Sequence, residues 1–249
     1  MKEHNERSQL EEHLICLKLP FFTDHYQEFA SQAARKNWTY VDYLDNLVSG
    51  EAALRRDRSV GRRIRKARFP LIKTLDQFNW SWPKKINRLQ VQNLFRLAFL
   101  KDKSNIIFLG GVGLGKTHLA SALGYAACLK NYTVLFATAI DLINTLSAAQ
   151  RQNRLKEELK KYTRPALLIV DELGYVEVEP VQVGLFFTLM QRRHKQKSTL
   201  ITSNLGFEQW TSFLKNDQLT AALMDRLTET SHVINMRNCV SLRPRLSQE

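Results

Sequence analysis

Cysteine is scarce in this chain. Three occur in 249 residues, Cys16, Cys128 and Cys239, and they stand far apart. No pair has the spacing of a metal site or a redox motif, so each reads as a small buried hydrophobe. Long apolar runs are also missing. The longest, such as Ala166–Val170, are the size of a strand, and none reaches the length of a membrane span. Met1 to Gln9 is polar and charged, without the apolar core of a signal segment. Together these absences predict a cytoplasmic protein with no membrane partner. Internal repeats and low-complexity tracts are absent too. Acidic residues are outnumbered, 24 against 37 Lys and Arg, for a formal charge of +13. Such an excess favours a polyanionic partner, through phosphate contacts and counterion release.

What is present is an ordinary globular balance, 44% hydrophobic and 24% charged. The length suits one large core, or a core with a small helical module beside it. Residues 10–82 read as helices. Tyr40, Tyr43, Leu44, Leu47 and Val48 repeat at helical spacing, Gly50 interrupts or bends the pattern, and a further helix runs from Glu51 to Ala67. That helix holds the densest basic run of the chain: Arg55, Arg56, Arg58, Arg62, Arg63, Arg65, Lys66 and Arg68, opposed inside it only by Asp57. Like charges three and four apart repel. Nearby acidic side chains can relieve that repulsion, and so can a phosphate backbone. The sharper expectation is a duplex-DNA grip through Arg55, Arg58, Arg62 and Arg65, with Arg68 extending the stripe if the helix reaches it. Phe69 should face the core.

Residues 70–85 read as a linker, with Phe78, Trp80 and Trp82 near Pro70 and Pro83. Its aromatics can stack on bases or dock on the next domain, and their need for cover favours docking. The expected organisation is therefore a basic helical domain over 1–69, a linker over 70–85 and a larger domain over 86–249. A helix over Ile86–Leu100 opens the last. Strands are predicted at Ile106–Leu109, Thr133–Ala137, Ala166–Val170, Thr199–Ser203 and His232–Met236. Helices alternate with them near Lys116–Lys130, Asp141–Gln150 with a continuation over Gln152–Leu159, and Val181–His194. Further helical turns fall near Phe207–Phe213 and Thr220–Thr230. This alternation predicts an α/β fold, a five-stranded parallel sheet covered on both faces.

Gly110-Gly111-Val112-Gly113-Leu114-Gly115-Lys116-Thr117 fits G-x-x-x-x-G-K-[ST] in full, between a predicted strand and a predicted helix. The glycines let the backbone curl around a phosphate chain. Val112 and Leu114 complete the loop, and His118 stands in the first turn of the helix, whose N-terminus adds oriented donors. Lys116 is placed to reach the β- and γ-phosphates of ATP and Thr117 to bind Mg2+. Leu167-Leu168-Ile169-Val170-Asp171-Glu172 is an apolar strand ending in two carboxylates. Asp171 is the expected Mg2+ partner and Glu172 the group that orients the attacking water. Thr199 to Asn204 is another apolar strand with a polar end, expected beside Asp171 in a parallel sheet. Asn204 there can contact the γ-phosphate or the water.

These strings, with Asp171-Glu172-Leu173-Gly174-Tyr175, Thr202-Ser203-Asn204 and the basic N-terminal piece, resemble the IstB-type ATP-binding proteins. Those are the transposition helpers of the IS21 class of insertion sequences. They are AAA+ ATPases, close to the DnaC helicase loaders and more distant from the initiator DnaA. The resemblance covers nearly the whole chain. It implies an AAA+ P-loop domain after a small all-helical one, with Lys116 and Thr117 as the Walker A pair, Asp171 and Glu172 as the Walker B pair, and Asn204 as sensor 1. It implies that Arg226, in Leu223-Met224-Asp225-Arg226-Leu227, is the finger completing a neighbouring subunit's site, hence a homo-oligomer. Arg243 falls at sensor 2, although Leu242 stands where the family usually has tyrosine. Family members assemble on double-stranded DNA with ATP, deform it, and recruit and stimulate a cognate transposase. The alternative is a DnaC-like helicase loader, which would carry a helicase-docking module where this chain has its basic helix.

Overall fold

A computed structural model describes residues 8–81, 83, 85–175, 179–237 and 239. Trp82 and Arg243 lie outside them. The chain forms two compact units, one up to Arg62 and one from Arg63 onward.

The first unit is helical: α1 (Gln9–Cys16), α2 (Pro20–Lys36) and most of α3 (Tyr40–Ala67). The helical pattern does not break at Gly50; α3 runs through it. The glycine answers a packing demand instead, because a β-carbon there would lie 2.0 Å from the ring of Phe21. The close approach also lets Glu51, which is buried, accept from the Phe21 backbone N–H at 2.9 Å. That satisfies one of the unpaired donors at the start of α2, whose N-cap Leu19 has no side chain able to do so.

The second unit is built on a parallel sheet of β1 (Asn105–Leu109), β2 (Val134–Thr138), β3 (Leu167–Leu173), β4 (Ser198–Ser203) and β5 (Ser231–Asn235). The strand order is β2-β3-β4-β1-β5. All five predicted strands are present. Successive side chains on a strand point to opposite faces, and here both faces are covered. Ile106, Phe108, Ile169 and Leu200 join one core with α6 (Lys116–Leu129) and the preceding α4 (Arg88–Leu94) and α5 (Ala98–Lys101). Ile107, Leu109, Leu168, Val170 and Ile201 join the other, with α7 (Ala139–Arg151), α8 (Leu155–Thr163), α9 (Pro180–Arg193), α10 (Phe207–Leu214) and α11 (Asp217–Thr228).

Two expected helices are divided. The one over Ile86–Leu100 becomes α4 and α5, because Leu97 adopts a left-handed φ of 58°. The continuation after α7 becomes a separate α8, because Asn153 turns left-handed at φ 56°. Both breaks bring apolar side chains into the core, Phe99 and Leu100 in the first case and Leu159 and Tyr162 in the second. Burial outweighs the local preference for one longer helix. Phe69 packs inward, edge-on to Phe136 at 6.3 Å between ring centroids. Phe78 is buried in the same core with Trp80 against it, so these linker aromatics dock.

The N-terminal ends of the strands are knitted by a buried cation. The Arg193 guanidinium donates to Tyr162 O at 2.7 Å, Pro165 O at 3.1 Å and Thr199 Oγ1 at 3.0 Å, and also to Ser198 O. Burial pushes its pKa down from the ordinary arginine value to about 9. Beside it, Asn105 Oδ1 accepts from Thr199 N at 3.0 Å, and its Nδ2 donates to Leu227 O at 3.2 Å. Of the three cysteines expected to be buried, Cys128 is, and burial pushes its thiol up to about 11, whereas Cys16 is exposed and Cys239 only partly buried.

Candidate functional site

The C-terminal ends of the strands carry the site. The chain leaves β1 at Leu109, turns through Gly110 to Gly115, and enters α6 at Lys116. Gly115 has φ 82°, a left-handed conformation suited to glycine. Its missing side chain also leaves room for Phe78, since a β-carbon would meet Phe78 Cε2 at 2.7 Å. Lys116 Nζ donates to Gly110 O at 2.7 Å and Gly111 O at 2.8 Å, which ties the ammonium to the loop.

Thr117 and Asp171 meet across the sheet. Thr117 Oγ1 lies 3.1 Å from Asp171 Oδ1 and 3.0 Å from Oδ2. Strand β4 lies between β3 and β1, and its Thr202 completes the connection. The buried Thr202 hydroxyl donates to Asp171 Oδ1 and accepts from Glu172 N at 2.9 Å. Thr202 thus fixes both acidic residues, the first through its carboxylate and the second through its backbone. Sequence reading assigned it no role. The available signal was a hydroxyl at the end of a strand predicted to lie beside Asp171.

Glu172 itself is held unusually. The pairing of β3 with β4 shifts register between Val170 and Leu173, and Glu172 has a left-handed φ of 62°. Asp171 stays buried while Glu172 turns out into solvent. A non-glycine residue in that region costs free energy, on the order of 1–3 kcal/mol, and such residues cluster where a side chain must be aimed. Asn204 follows β4. Its Oδ1 is buried with no hydrogen-bond partner among the described residues, an acceptor left for something that enters the site.

Val112 to Thr117, Glu172, Tyr175, Thr202 and Asn204 line one cavity of about 330 Å3. It brings Lys116, Thr117, Glu172 and Asn204 together at the N-terminus of α6, with Asp171 bonded to Thr117 and Thr202 at its edge. Gly110 and Gly111 are not in its lining; they supply the carbonyls that hold Lys116. The His118 ring also turns elsewhere. Its Nε2 lies 2.9 Å from Thr74 O, and Phe78 stands edge-on to it at 5.4 Å.

The donor set fits a phosphate chain with Mg2+. Backbone N–H groups, the α6 dipole and an ammonium suit phosphates. One hydroxyl and one carboxylate, Thr117 and Asp171, are the hard oxygen ligands that Mg2+ takes when substrate phosphates supply others. Among the described residues no cluster of three or more His, Cys, Asp or Glu could hold a metal by itself.

Arg226 lies outside this cavity. Its Nη1 donates to Ala222 O at 2.8 Å, and its guanidinium stands 5.0 Å from the centre of the Phe187 ring. His194 Nδ1 is 3.1 Å from Arg226 O. In the basic run, Arg58, Arg62 and Arg65 are exposed. Arg55 is engaged, donating to Glu51 Oε1 at 2.8 Å and Lys18 O at 2.8 Å. Arg68 is no part of the helical stripe: α3 ends at Ala67, and Arg68 has a left-handed φ of 59°.

Comparison with known proteins agrees with this geometry. A family model described as IstB-like ATP binding protein matches residues 12–249. An insertion sequence IS21 ATP-binding protein of Pseudomonas aeruginosa is 37% identical over 229 residues, covering 92% of this chain and 86% of the relative. An insertion sequence IS232 ATP-binding protein of Bacillus thuringiensis subsp. berliner is 33% identical over 232 residues, 93% of each chain. Among solved structures, the DnaC helicase loader superposes with a TM-score of 0.52 at 22% identity, over 59% of this chain and 86% of that one.

Proposed function

This chain belongs to the IstB-like ATP-binding protein family and is a P-loop ATPase, and we propose that its ATP cycle governs assembly on duplex DNA and engagement of a transposase. The observation that carries the ATPase part is the meeting of Thr117 and Asp171 at one cavity, into which Glu172 and Asn204 also face.

The roles follow from chemistry. The N-terminus of α6 and Lys116 bind the β- and γ-phosphates of ATP. Thr117 and Asp171 would hold Mg2+, which when bound would neutralise charge on the phosphate oxygens. Glu172, presented to the cavity, orients the attacking water and accepts its proton. The orphan Asn204 Oδ1 accepts a hydrogen bond from that water. Arg226, absent from its own chain's cavity, supplies charge to the γ-phosphate of a neighbouring subunit, so the working unit is a homo-oligomer.

The DNA part rests on the exposed Arg58, Arg62 and Arg65 and on the charge of +13. Phosphate contacts of this kind hold duplexes with little regard to sequence. The transposase part rests on kinship. The insertion-sequence relatives match nearly this whole chain, whereas the likeness to the helicase loader spans 59% of it. That difference favours a transposition helper over a loader.

The test is electron microscopy of the full chain on duplex DNA with ATP, with ADP and without nucleotide. Ordered assemblies that need both duplex and ATP are expected. Assemblies indifferent to nucleotide, or formed only on single strands, would overturn the reading.

A further inference from the structure

A second and larger cleft, of about 890 Å3, shares no lining residue with the phosphate cavity. One side is the free edge of the sheet. Every residue from Thr133 to Thr138 lines it, and among the described residues β2 is the outermost strand, paired only with β3. Leu167 N donates to Thr133 O at 3.1 Å, and Val134 and Phe136 stand opposite Leu167 and Ile169. In a parallel ladder the bonding residues alternate. The N–H and C=O groups of Leu135 and Ala137 therefore serve β3, and those of Val134 and Phe136 face outward into the cleft.

The walls are basic. Arg63, Lys66 and Arg68 line one side, and Lys161 and Arg164 the other. The two acidic residues of the lining are already engaged: Glu158 pairs with Lys161 at 2.5 Å, and Asp141 accepts from Thr138 Oγ1 at 2.7 Å. Arg63 Nη1 is buried and has no hydrogen-bond partner among the described residues. Charges beside an open edge also discourage edge-to-edge aggregation. That role alone explains neither a cleft along the whole strand nor a buried cationic nitrogen without an acceptor.

We propose that this cleft receives an acidic, extended segment of a partner protein, which adds to the sheet beside β2 as a sixth strand. Outward N–H and C=O groups at every second residue are met by another peptide backbone. The apolar side chains of Leu135, Ala137 and Tyr162 and the rings of Pro70 and Pro165 give the inserted strand a dry floor, and its carboxylates meet Lys66, Arg68 and Arg164. A nucleic-acid backbone would satisfy the charges and leave the peptide groups unpaired.

The experiment uses the full chain and a short peptide alternating glutamate and valine. Binding is followed by fluorescence anisotropy, and amide hydrogen exchange is read residue by residue. The expected result is binding, with slowed exchange at Val134 and Phe136. A peptide with lysine for glutamate should not bind. N-methylating alternate amides of the acidic peptide should abolish binding. Arg164→Glu should weaken it by roughly fivefold, with ATP affinity unchanged as evidence of an intact fold. The proposal is overturned if the acidic peptide fails to protect those two amides or the basic peptide binds equally. It is also overturned if a duplex oligonucleotide, or self-association of the chain, gives the same protection.

Discussion

Phe78 lies beneath Gly115, so close that a β-carbon on the glycine would stand 2.7 Å from Phe78 Cε2. The phosphate loop thus rests on a ring from outside its own motif. Phe78→Ala should leave a void there and destabilise the fold by about 3–5 kcal/mol. Nucleotide affinity should fall with it, while Phe78→Leu keeps most of both. Denaturant unfolding and a nucleotide titration measure the two effects. A Phe78→Ala protein with native stability would show that the ring does not support the loop.

Glu172→Gln retains Thr117 and Asp171 and loses the carboxylate proposed to orient water. It should bind ATP normally and turn over at least about a hundredfold more slowly, as expected when a general base is removed. ATP-bound assemblies on DNA should then persist. Hydrolysis at the wild-type rate would remove Glu172 from the mechanism.

Thr202→Val conserves shape and deletes the hydroxyl between Asp171 and Glu172. It leaves an acceptor and a backbone donor short of a partner, at a cost of about 1–3 kcal/mol. Turnover should fall and more Mg2+ should be needed for half-maximal rate. Steady-state kinetics across Mg2+ concentrations would expose the opposite result, an unchanged Mg2+ requirement.

Arg226→Ala should bind ATP and hydrolyse it poorly. Mixed with Lys116→Ala, which keeps Arg226 and weakens ATP binding, it should regain part of the activity at shared interfaces. Activity is measured across mixing ratios in samples shown to co-assemble. If no ratio restores it, Arg226 does not act across subunits.

Replacing Arg58, Arg62 and Arg65 with Ala should lower affinity for all duplexes alike. It should also flatten the salt dependence, by a log–log slope of roughly 0.9 for each phosphate that is no longer neutralised. ATP binding at low protein concentration should survive. A folded triple variant with wild-type affinity and slope would assign the helix to some other role.

The five strands were legible because each is a short apolar run ended by polar or turn residues. The phosphate loop was legible because its glycines and lysine are contiguous. What escaped depends on partners distant in sequence. Nothing local tells that Gly50 leaves room for Phe21, so an unbroken α3 looked like two helices. The Thr202 bridge needs the β3–β4 pairing, and the outward turn of Glu172 needs the irregularity in that pairing. Arg68 fits the basic periodicity, yet burial of Ala67 and inward packing of Phe69 accompany the end of the helix just before it.

The Arg193 and Asn105 network has a mechanical consequence. It clamps the sheet at the ends of the strands opposite the phosphate loop, and through Leu227 O it pins the last turn of α11 to the same base. That anchor acts as a fulcrum one residue from Arg226. Points near a fulcrum travel least. Arg226 keeps a nearly fixed address within its own chain, so the trans role proposed for it predicts one whole subunit closing on the next rather than a swinging arm.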